Sequence, residues 1–558
     1  MHRTVMLLIV SFLLAIPPYL VAGVFASGIH FTNPDSTAFD GSVTDGTGLR
    51  INFVLSDTAS SISIRIQHSV TNAIIHTLNI TNRIAGWDST IWDGTGAPSG
   101  SASYYVSITA SRTPRSATNY RISRFLFTTP TGFGIFSRGV DVVRNQGNPN
   151  FGFIYTSNAG LPIGRGIARY TAAANVAGTA HPNPFLTQSG VNTNGIPWSE
   201  EVSAPVHATI DDLGRVYASD FPRGEIWRMD SNTAVPKRII RIAEPKGLAV
   251  VGTGANRKVY IAAGGNVMRA NIGASDTLST PLEAIASIGG TVRDVIFDDQ
   301  GFMYINVRTG TGFEGTAGGE TSRFDISGPL PVTVFDALFT VSWTGFPIGL
   351  GHWSGANPAS ATDDIIYVSQ RSASTANPPG VYRITQVTTA SPVREHLFRP
   401  SDIPGGGGGD VSSRADLTVD PTGNVVFFEN GNEEIIFLEP PSSEPTVSYT
   451  TKSAVTFLLG TTHVEPVTGV PERFTLKQNY PNPFNPTTSI EFAVLQAGHV
   501  TLKVYDVLGK EVATIVDGEL GAGSYRVVFV PRDITNGTYF YTLRSGGYRE
   551  TKKMLVIK

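Results

Sequence analysis

Among its 558 residues this chain has ten histidines and forty-five carboxylates but no cysteine. That absence excludes disulfides, thiolate nucleophiles, Cys-ligated zinc and haem attached through thioethers. The histidines are scattered, and none forms His-Glu-x-x-His or a close pair. Gly351-His352-Trp353-Ser354-Gly355 sets its serine one place too late for the nucleophile elbow Gly-x-Ser-x-Gly. Gly310-Thr311-Gly312-Phe313-Glu314-Gly315 fits Gly-x-Gly-x-x-Gly, but no helix follows to seat a phosphate on its N-terminus. Asp35, Asp40 and Asp45 are candidate calcium ligands, yet their spacing misses the EF-hand pattern and a solvated linker is the plainer reading. The residues therefore predict no catalytic constellation, no cofactor and no metal set.

The elements that would position any site are strands. Glycine (59) and proline (35) are abundant, and aromatic residues make up 10%. Apolar positions alternate more often than they recur at helical spacing, the profile of an all-β, turn-rich chain. A net charge of −3 with only 16% charged residues gives no basic field for nucleic acid.

Residues 120–450 hold a diverged repeat. Three hairpins align: Ile210-Asp211-Asp212-Leu213-Gly214-Arg215-Val216-Tyr217, Phe297-Asp298-Asp299-Gln300-Gly301-Phe302-Met303-Tyr304 and Val419-Asp420-Pro421-Thr422-Gly423-Asn424-Val425-Val426. Each is a strand, an Asp-x-x-Gly turn and a second strand, with glycine supplying the left-handed residue. An arginine recurs in the following strand, at Arg169, Arg228, Arg269, Arg323 and Arg383, and reads as bracing between blades. Inner strands begin near Gly139, Val206, Gly247, Val292, Ile348 and Ala415, which predicts a six-bladed propeller. Tyr120 to Thr128 is placed to close the ring with the last blade.

The repeat, with Lys246-Gly247-Leu248-Ala249-Val250, resembles NHL-type and gluconolactonase-like propellers. That resemblance implies a divalent cation on the axis, held by Glu, Asn and Asp. The comparable positions here fall near Arg138, His207, Lys246, Arg293 or Asp294, and Arg414 or Asp416. The set reads as mostly basic and unlike a cation cage. His207, Arg293 and Arg414 are the binding candidates on the axis. They either brace the channel through salt bridges, the preferred reading, or take an anion such as a uronic acid or sulfated sugar.

The last 85 residues, Phe474 to Lys558, are the most specific. Asn479-Tyr480-Pro481-Asn482-Pro483-Phe484-Asn485-Pro486 reads as an extended lead-in because its prolines cannot join a ladder. Alternating strands, a hairpin at Val504-Tyr505-Asp506-Val507-Leu508-Gly509-Lys510-Glu511-Val512, the strand Gly537-Thr538-Tyr539-Phe540-Tyr541 and a basic end at Lys552, Lys553 and Lys558 follow. The segment closely resembles the type A C-terminal sorting domain of the type IX secretion system. The resemblance implies export across a Gram-negative outer membrane by that machinery, removal of the domain by a sortase-like peptidase, and often attachment to surface lipopolysaccharide.

The other end agrees with export. His2 and Arg3, the apolar run Val5 to Ile16, Pro17-Pro18 and Val24-Phe25-Ala26 before Ser27 read as a signal peptide over residues 1–26. After a linker at 27–47, residues 48–112 read as a small sandwich. Its Trp92-Asp93-Gly94 turn and Tyr104-Tyr105-Val106 strand resemble the Ig-like domain of the flagellar hook-capping protein, with Trp92 as a core anchor. The predicted chain is thus all-β, a six-bladed propeller at 120–450 flanked by N-terminal and C-terminal Ig-like sandwiches, with a linker at 451–473 and the sorting domain at 474–558. The leading reading is a secreted, surface-displayed, non-catalytic propeller that binds an extracellular glycan or protein. The rivals are a propeller enzyme (a lactonase, or a polysaccharide hydrolase or lyase) and a structural surface component; the fold does not choose among them.

Overall fold

A computed structural model describes the chain apart from residues 1–22, 40, 44–47, 95–101, 128–136, 161–163, 174–195, 197, 199–204, 231–233, 310–317, 355–358, 372–377, 400–415, 430–433, 460–463, 468–472, 485–487, 530–534 and 558. Arg414, Asn485, Pro486, Lys558, the Gly310–Gly315 loop and the apolar run of the signal peptide lie outside the described residues, as do the side chains of Asp40 and Asp45.

Among the described residues, six antiparallel sheets make the middle of the chain. Their innermost strands are Ser137–Val142, His207–Ile210, Pro245–Val251, Thr291–Phe297, Phe346–Trp353 and Leu417–Val419, and each touches the next around a closed ring. The sixth sheet takes its fourth strand from the start of the region: Arg121–Phe127 pairs with Glu434–Glu439, closing the ring as anticipated. The three Asp-x-x-Gly turns occupy the same place, joining first strand to second. In each, the aspartate Oδ1 accepts two backbone N–H groups of its own turn, Leu213 and Arg215, Gln300 and Phe302, or Thr422 and Asn424. Gly214, Gly301 and Gly423 have φ of +74°, +88° and +84°.

The third-strand arginines only partly brace neighbouring blades. Arg228 approaches Asp276 of the next sheet (3.5 Å), and Arg323 donates to the Val387 carbonyl of the next sheet (3.1 Å). Arg269 pairs with Glu283 on the adjacent strand of its own sheet, whereas Arg383 pairs with Glu395 of its own sheet and also stacks over Tyr120, which leads into the closing strand of the next sheet (5.4 Å).

The N-terminal sandwich is larger than residues 48–112. One sheet is Ala26–Thr32, Leu49–Leu55 and Gly86–Trp92. The other contains Ala59–His68, Ile74–Arg83 and Ala102–Arg112, and it recruits Val447–Lys452 and Phe457–Leu459 from beyond the propeller. The propeller is therefore inserted into the sandwich, and the segments expected to be linkers at 27–47 and 451–473 supply strands. Trp92 is fully buried in this core, with Phe457 6.4 Å away. A buried charge cluster ties sandwich to ring. Arg115 Nη1 lies 2.8 Å from both Asp57 and Glu439, and Arg112 Nη2 lies 2.5 Å from Glu439. Burial of these charges is tolerable because they neutralise one another.

The C-terminal unit is a pair of four-stranded sheets around one apolar core. It begins before residue 474, because Val464–Val467 pairs with Gly523–Phe529. The Asn-Tyr-Pro-Asn-Pro-Phe segment is not a free lead-in. Asn482 Oδ1 accepts from Leu555 N (2.9 Å), and Phe484 N donates to Leu555 O (3.1 Å) with its ring buried. The motif thus folds onto the last strand, Tyr548–Val556.

A mature chain starting at Ser27 conflicts with this packing. Val24, Phe25 and Ala26 are almost fully buried. Phe25 N donates to Ser56 Oγ (3.0 Å), its carbonyl accepts from Ser56 N (2.9 Å), and its ring meets Phe151 at 5.6 Å and Tyr449 at 6.0 Å. N-terminal sequencing of exported protein should read Val24 or a residue upstream of it, and Phe25→Ala should lower stability by about 3–5 kcal/mol in denaturant titration. A start at Ser27 with unchanged stability would contradict the packing.

Candidate functional site

The propeller axis is filled by an alternation. The first, third and fifth inner strands carry Gly139, Gly247 and Gly349, while the second and fourth carry His207 and Asp294, and Asp416 immediately precedes the sixth. Each glycine lies against the polar residue of the following strand. A Cβ on Gly247 would fall 2.5 Å from the Cα and Oδ1 of Asp294. One on Gly139 would fall 2.8 Å from the Cα of His207, and one on Gly349 would overlap Asp416 Oδ1. These glycines are required by space, not by backbone angle.

Each polar side chain then reaches forward to the N–H just after the next glycine. Asp294 Oδ2 accepts from Leu350 N (2.8 Å), Asp416 Oδ2 from Val140 N (3.1 Å), and His207 Nδ1 from Leu248 N (3.3 Å). Both aspartates also accept through Oδ1 from the residue that follows them, Val295 (2.8 Å) and Leu417 (2.9 Å). Asp141 makes the same forward contact from the first strand, accepting from Ile210 N (2.9 Å). His207 stands where a third aspartate would stand. Its Nε2 faces the carboxylates, 3.2 Å from Asp416 Oδ2 and 3.5 Å from Asp294 Oδ1.

This geometry corrects the charge assigned to the axis. Asp294 and Asp416, rather than Arg293, meet His207 at the centre. Arg293 lines a small recess of about 30 Å³ on the opposite side of the plug, together with Lys246. Burial, and after it the nearby Arg293, hold the Lys246 ammonium below its usual range.

By distance alone the plug suits a cation, since one donor atom from each of His207, Asp294 and Asp416 lies within 4.8 Å of the others. The donor chemistry does not fit. With Nδ1 accepting from Leu248, the proton of the neutral ring sits on Nε2, the atom that points at the carboxylates. The protonated ring carries a proton on Nε2 as well. A cation would have to displace the Nε2 proton, and the ring loses the bond from Leu248 N–H whether it binds a cation there or is protonated on both nitrogens. Directed at both carboxylates, the Nε2 proton bridges the cluster. Burial by itself would lower the His207 pKa, but Asp416 and Asp294 lift it to about 9. Burial raises Asp294 to about 7, with His207 opposing. The shared proton belongs to the group rather than to one atom.

Beyond the plug, on the side of the Asp-x-x-Gly hairpins, the axis opens into a funnel of about 490 Å³. His207, Asp294 and Asp416 form its floor, and its wall includes the aromatic residues Phe297, Trp353 and Tyr449. Tyr449 comes from the sandwich strand Val447–Lys452, so the sandwich shapes the rim. The wall cations are paired, Arg144 with Asp141 at 2.9 Å and His352 with Asp364 at 3.1 Å, and the wall also carries the exposed carboxylate Asp299. Sequence reasoning did not find the funnel. Gly351-His352-Trp353-Ser354, from the motif set aside there as a failed nucleophile elbow, supplies part of its wall.

Two outcomes follow for the plug. Both folded-state values exceed the ordinary ones of 6.5 and 3.8. The stabilisation is therefore complete below those values and is lost as pH rises through about 7 for Asp294 and about 9 for His207. Thermal unfolding should move to lower temperature as pH rises from about 4 to about 9, through Asp294 up to about 7 and through His207 between 6.5 and about 9, and His207→Asn should flatten the upper part of that slope. Gly349→Ala should cost about 3 kcal/mol or more, because backbone and carboxylate must shift. Gly498→Ala, where a Cβ meets nothing within 4 Å, should be tolerated.

Residues 478–558 match the secretion system C-terminal sorting domain family. No curated protein matches the chain. Among solved structures it is similar to a putative gluconolactonase, with 10% identity over 59% of this chain and 93% of that one and a TM-score of 0.36. It is also similar to a catalytically inactive virginiamycin B lyase from Staphylococcus aureus, with 10% identity over 74% of this chain and 100% of that one and a TM-score of 0.33. A nidogen/laminin complex is a third, with 9% identity over 52% of this chain and 93% of the other and a TM-score of 0.32. At such identities and TM-scores the likeness carries no conclusion about activity or ligand. The chain carries a type IX sorting domain at its C-terminus and is exported to the cell surface or beyond.

Proposed function

We propose that this exported protein is a non-catalytic binding protein whose propeller takes an uncharged glycan in the axial funnel. The observation that carries the reading is the contrast between floor and wall. The floor groups are committed to one another and to backbone N–H groups of neighbouring blades, which leaves no free base and no open coordination position. The wall offers aromatic faces and a volume in the range of ligand pockets. Sugar rings stack on such faces through their C–H groups. The ion pairs within the wall favour a neutral ligand over a uronic acid, since no cation there lacks an acid. In this reading His207 supports the floor, and Arg293 sits on the far side of the plug, away from the ligand.

A panel of neutral and acidic oligosaccharides tests this by calorimetry on the purified full chain. Neutral sugars should bind, and Trp353→Ala should weaken binding about 5- to 10-fold, the loss expected of one aromatic contact. Binding restricted to acidic sugars and lost in Arg293→Ala would move the site to the recess. Turnover of a glycan or lactone would overturn the non-catalytic reading.

A further inference from the structure

His352 stands in the funnel wall as half of a pair that the floor does not use. It lies on the fifth inner strand, Phe346–Trp353, and Asp364 immediately precedes the neighbouring strand, Ile365–Arg371. The two side chains meet at 3.1 Å, His352 Nε2 to Asp364 Oδ2. Asp364 is only 1% exposed, and its Oδ1, also buried, meets no donor among the described residues. Burial pushes this carboxyl up, His352 opposes it, and Asp298 and Asp299 push it up further. A buried carboxylate held by a single side-chain bond costs stability. Its presence calls for a role other than packing.

That role is to fix the imidazole. A carboxylate only accepts, so the proton of the neutral ring sits on Nε2 and the lone pair is left on Nδ1. Nδ1 has no protein partner among the described residues and is not sealed from solvent. His352 lines the funnel, so this acceptor is open to the cavity.

A second acceptor stands on the preceding blade. Asp299 lies in the Asp298–Gly301 turn, is exposed and lines the same funnel. Its charge acts on Asp364, which places it on the His352 side of the wall. Phe297 and Trp353, close to the two acceptors in sequence, are in the wall as well. This side of the funnel thus combines hydrogen-bond acceptors with aromatic residues. A sugar ring presents the complement, with O–H donors around its edge and C–H groups on its faces.

We propose that His352 Nδ1 and the Asp299 carboxylate accept hydroxyls of the bound sugar, so that the funnel selects glycans with free hydroxyls over methylated, acylated or sulfated ones. Asp364 is a positioning residue that acts through His352. The inference rests on the glycan reading of the funnel and adds to it the groups that recognise the edge of the ligand.

The test uses the purified full chain and the hexaoses of glucose, mannose and xylose, each beside its per-O-methyl derivative, which keeps the ring faces and loses every donor. In calorimetry the hexaose that binds should lose about tenfold in affinity in His352→Phe and about tenfold or more in Asp299→Asn, the worth of a neutral and of a charge-assisted hydrogen bond. Its per-O-methyl derivative should bind at least tenfold more weakly, and neither substitution should weaken it further. Asp299→Asn changes an exposed side chain and carries the test if His352→Phe does not fold. Nitrogen-detected NMR of histidine-labelled chain should show His352 protonated on Nε2, with the Nδ1 signal shifting when the hexaose is added. Asp364→Asn should mix the two tautomers and lower affinity. Affinity lost in Trp353→Ala but unchanged in His352→Phe and Asp299→Asn would overturn the proposal and leave the glycan reading standing. Absence of binding by all three hexaoses would overturn the glycan reading, and the proposal with it.

Discussion

Neighbouring inner strands of the propeller approach each other more closely than any side chain permits at three places, and this contact organises the rest of the ring. Gly139, Gly247 and Gly349 lie against the second, fourth and sixth strands. The polar side chains opposite them bond forward to the strand beyond. The result is a pseudo-threefold plug inside a sixfold ring. Three carboxylates at this spacing would repel strongly in a buried site. A histidine in one of the three positions, with its Nε2 proton directed at the other two, relieves that repulsion without a metal ion. The plug also divides the axis, leaving a ligand-sized funnel on one side and a small basic recess on the other.

The ring is held shut from outside as well. Its last sheet is completed by a strand from its beginning, and the chain enters and leaves through a single sandwich. Opening the ring would therefore unpair Arg121–Phe127 and disturb the buried cluster of Arg112, Arg115, Asp57 and Glu439 together. Such mutual closure suits a protein exposed outside the cell. The sorting unit has its own core, so the export signal and the cargo are built as separate packing problems.

Much of this was legible in the residues. The Asp-x-x-Gly turns, the closing strand, the core role of Trp92 and the identity of the sorting segment all rest on local patterns, and local patterns survive in sequence. The side chains facing the axis did not. The pairing register shifts at the level of the plug, between Pro245 and Leu248, between Val292 and Asp294, and between Pro347 and Leu350. Each shift inverts the strict alternation of a strand. A period-two reading therefore leaves Arg293 and Asp294 equally eligible to face inward, and the basic choice was the wrong one at the centre. The sandwich strands at 447–459 escaped for a different reason: they are short, and their partner Ala102–Arg112 lies more than 300 residues away.

The central claim is that a proton on His207 Nε2 bridges Asp294 and Asp416 on the propeller axis. Nitrogen-detected NMR of histidine-labelled protein reads this directly, with the His207 signals assigned by their loss in His207→Asn. The account predicts a proton on Nε2 at pH 7 that persists when calcium or zinc is added in excess. Loss of that proton on adding either ion, restored by chelation, would contradict it.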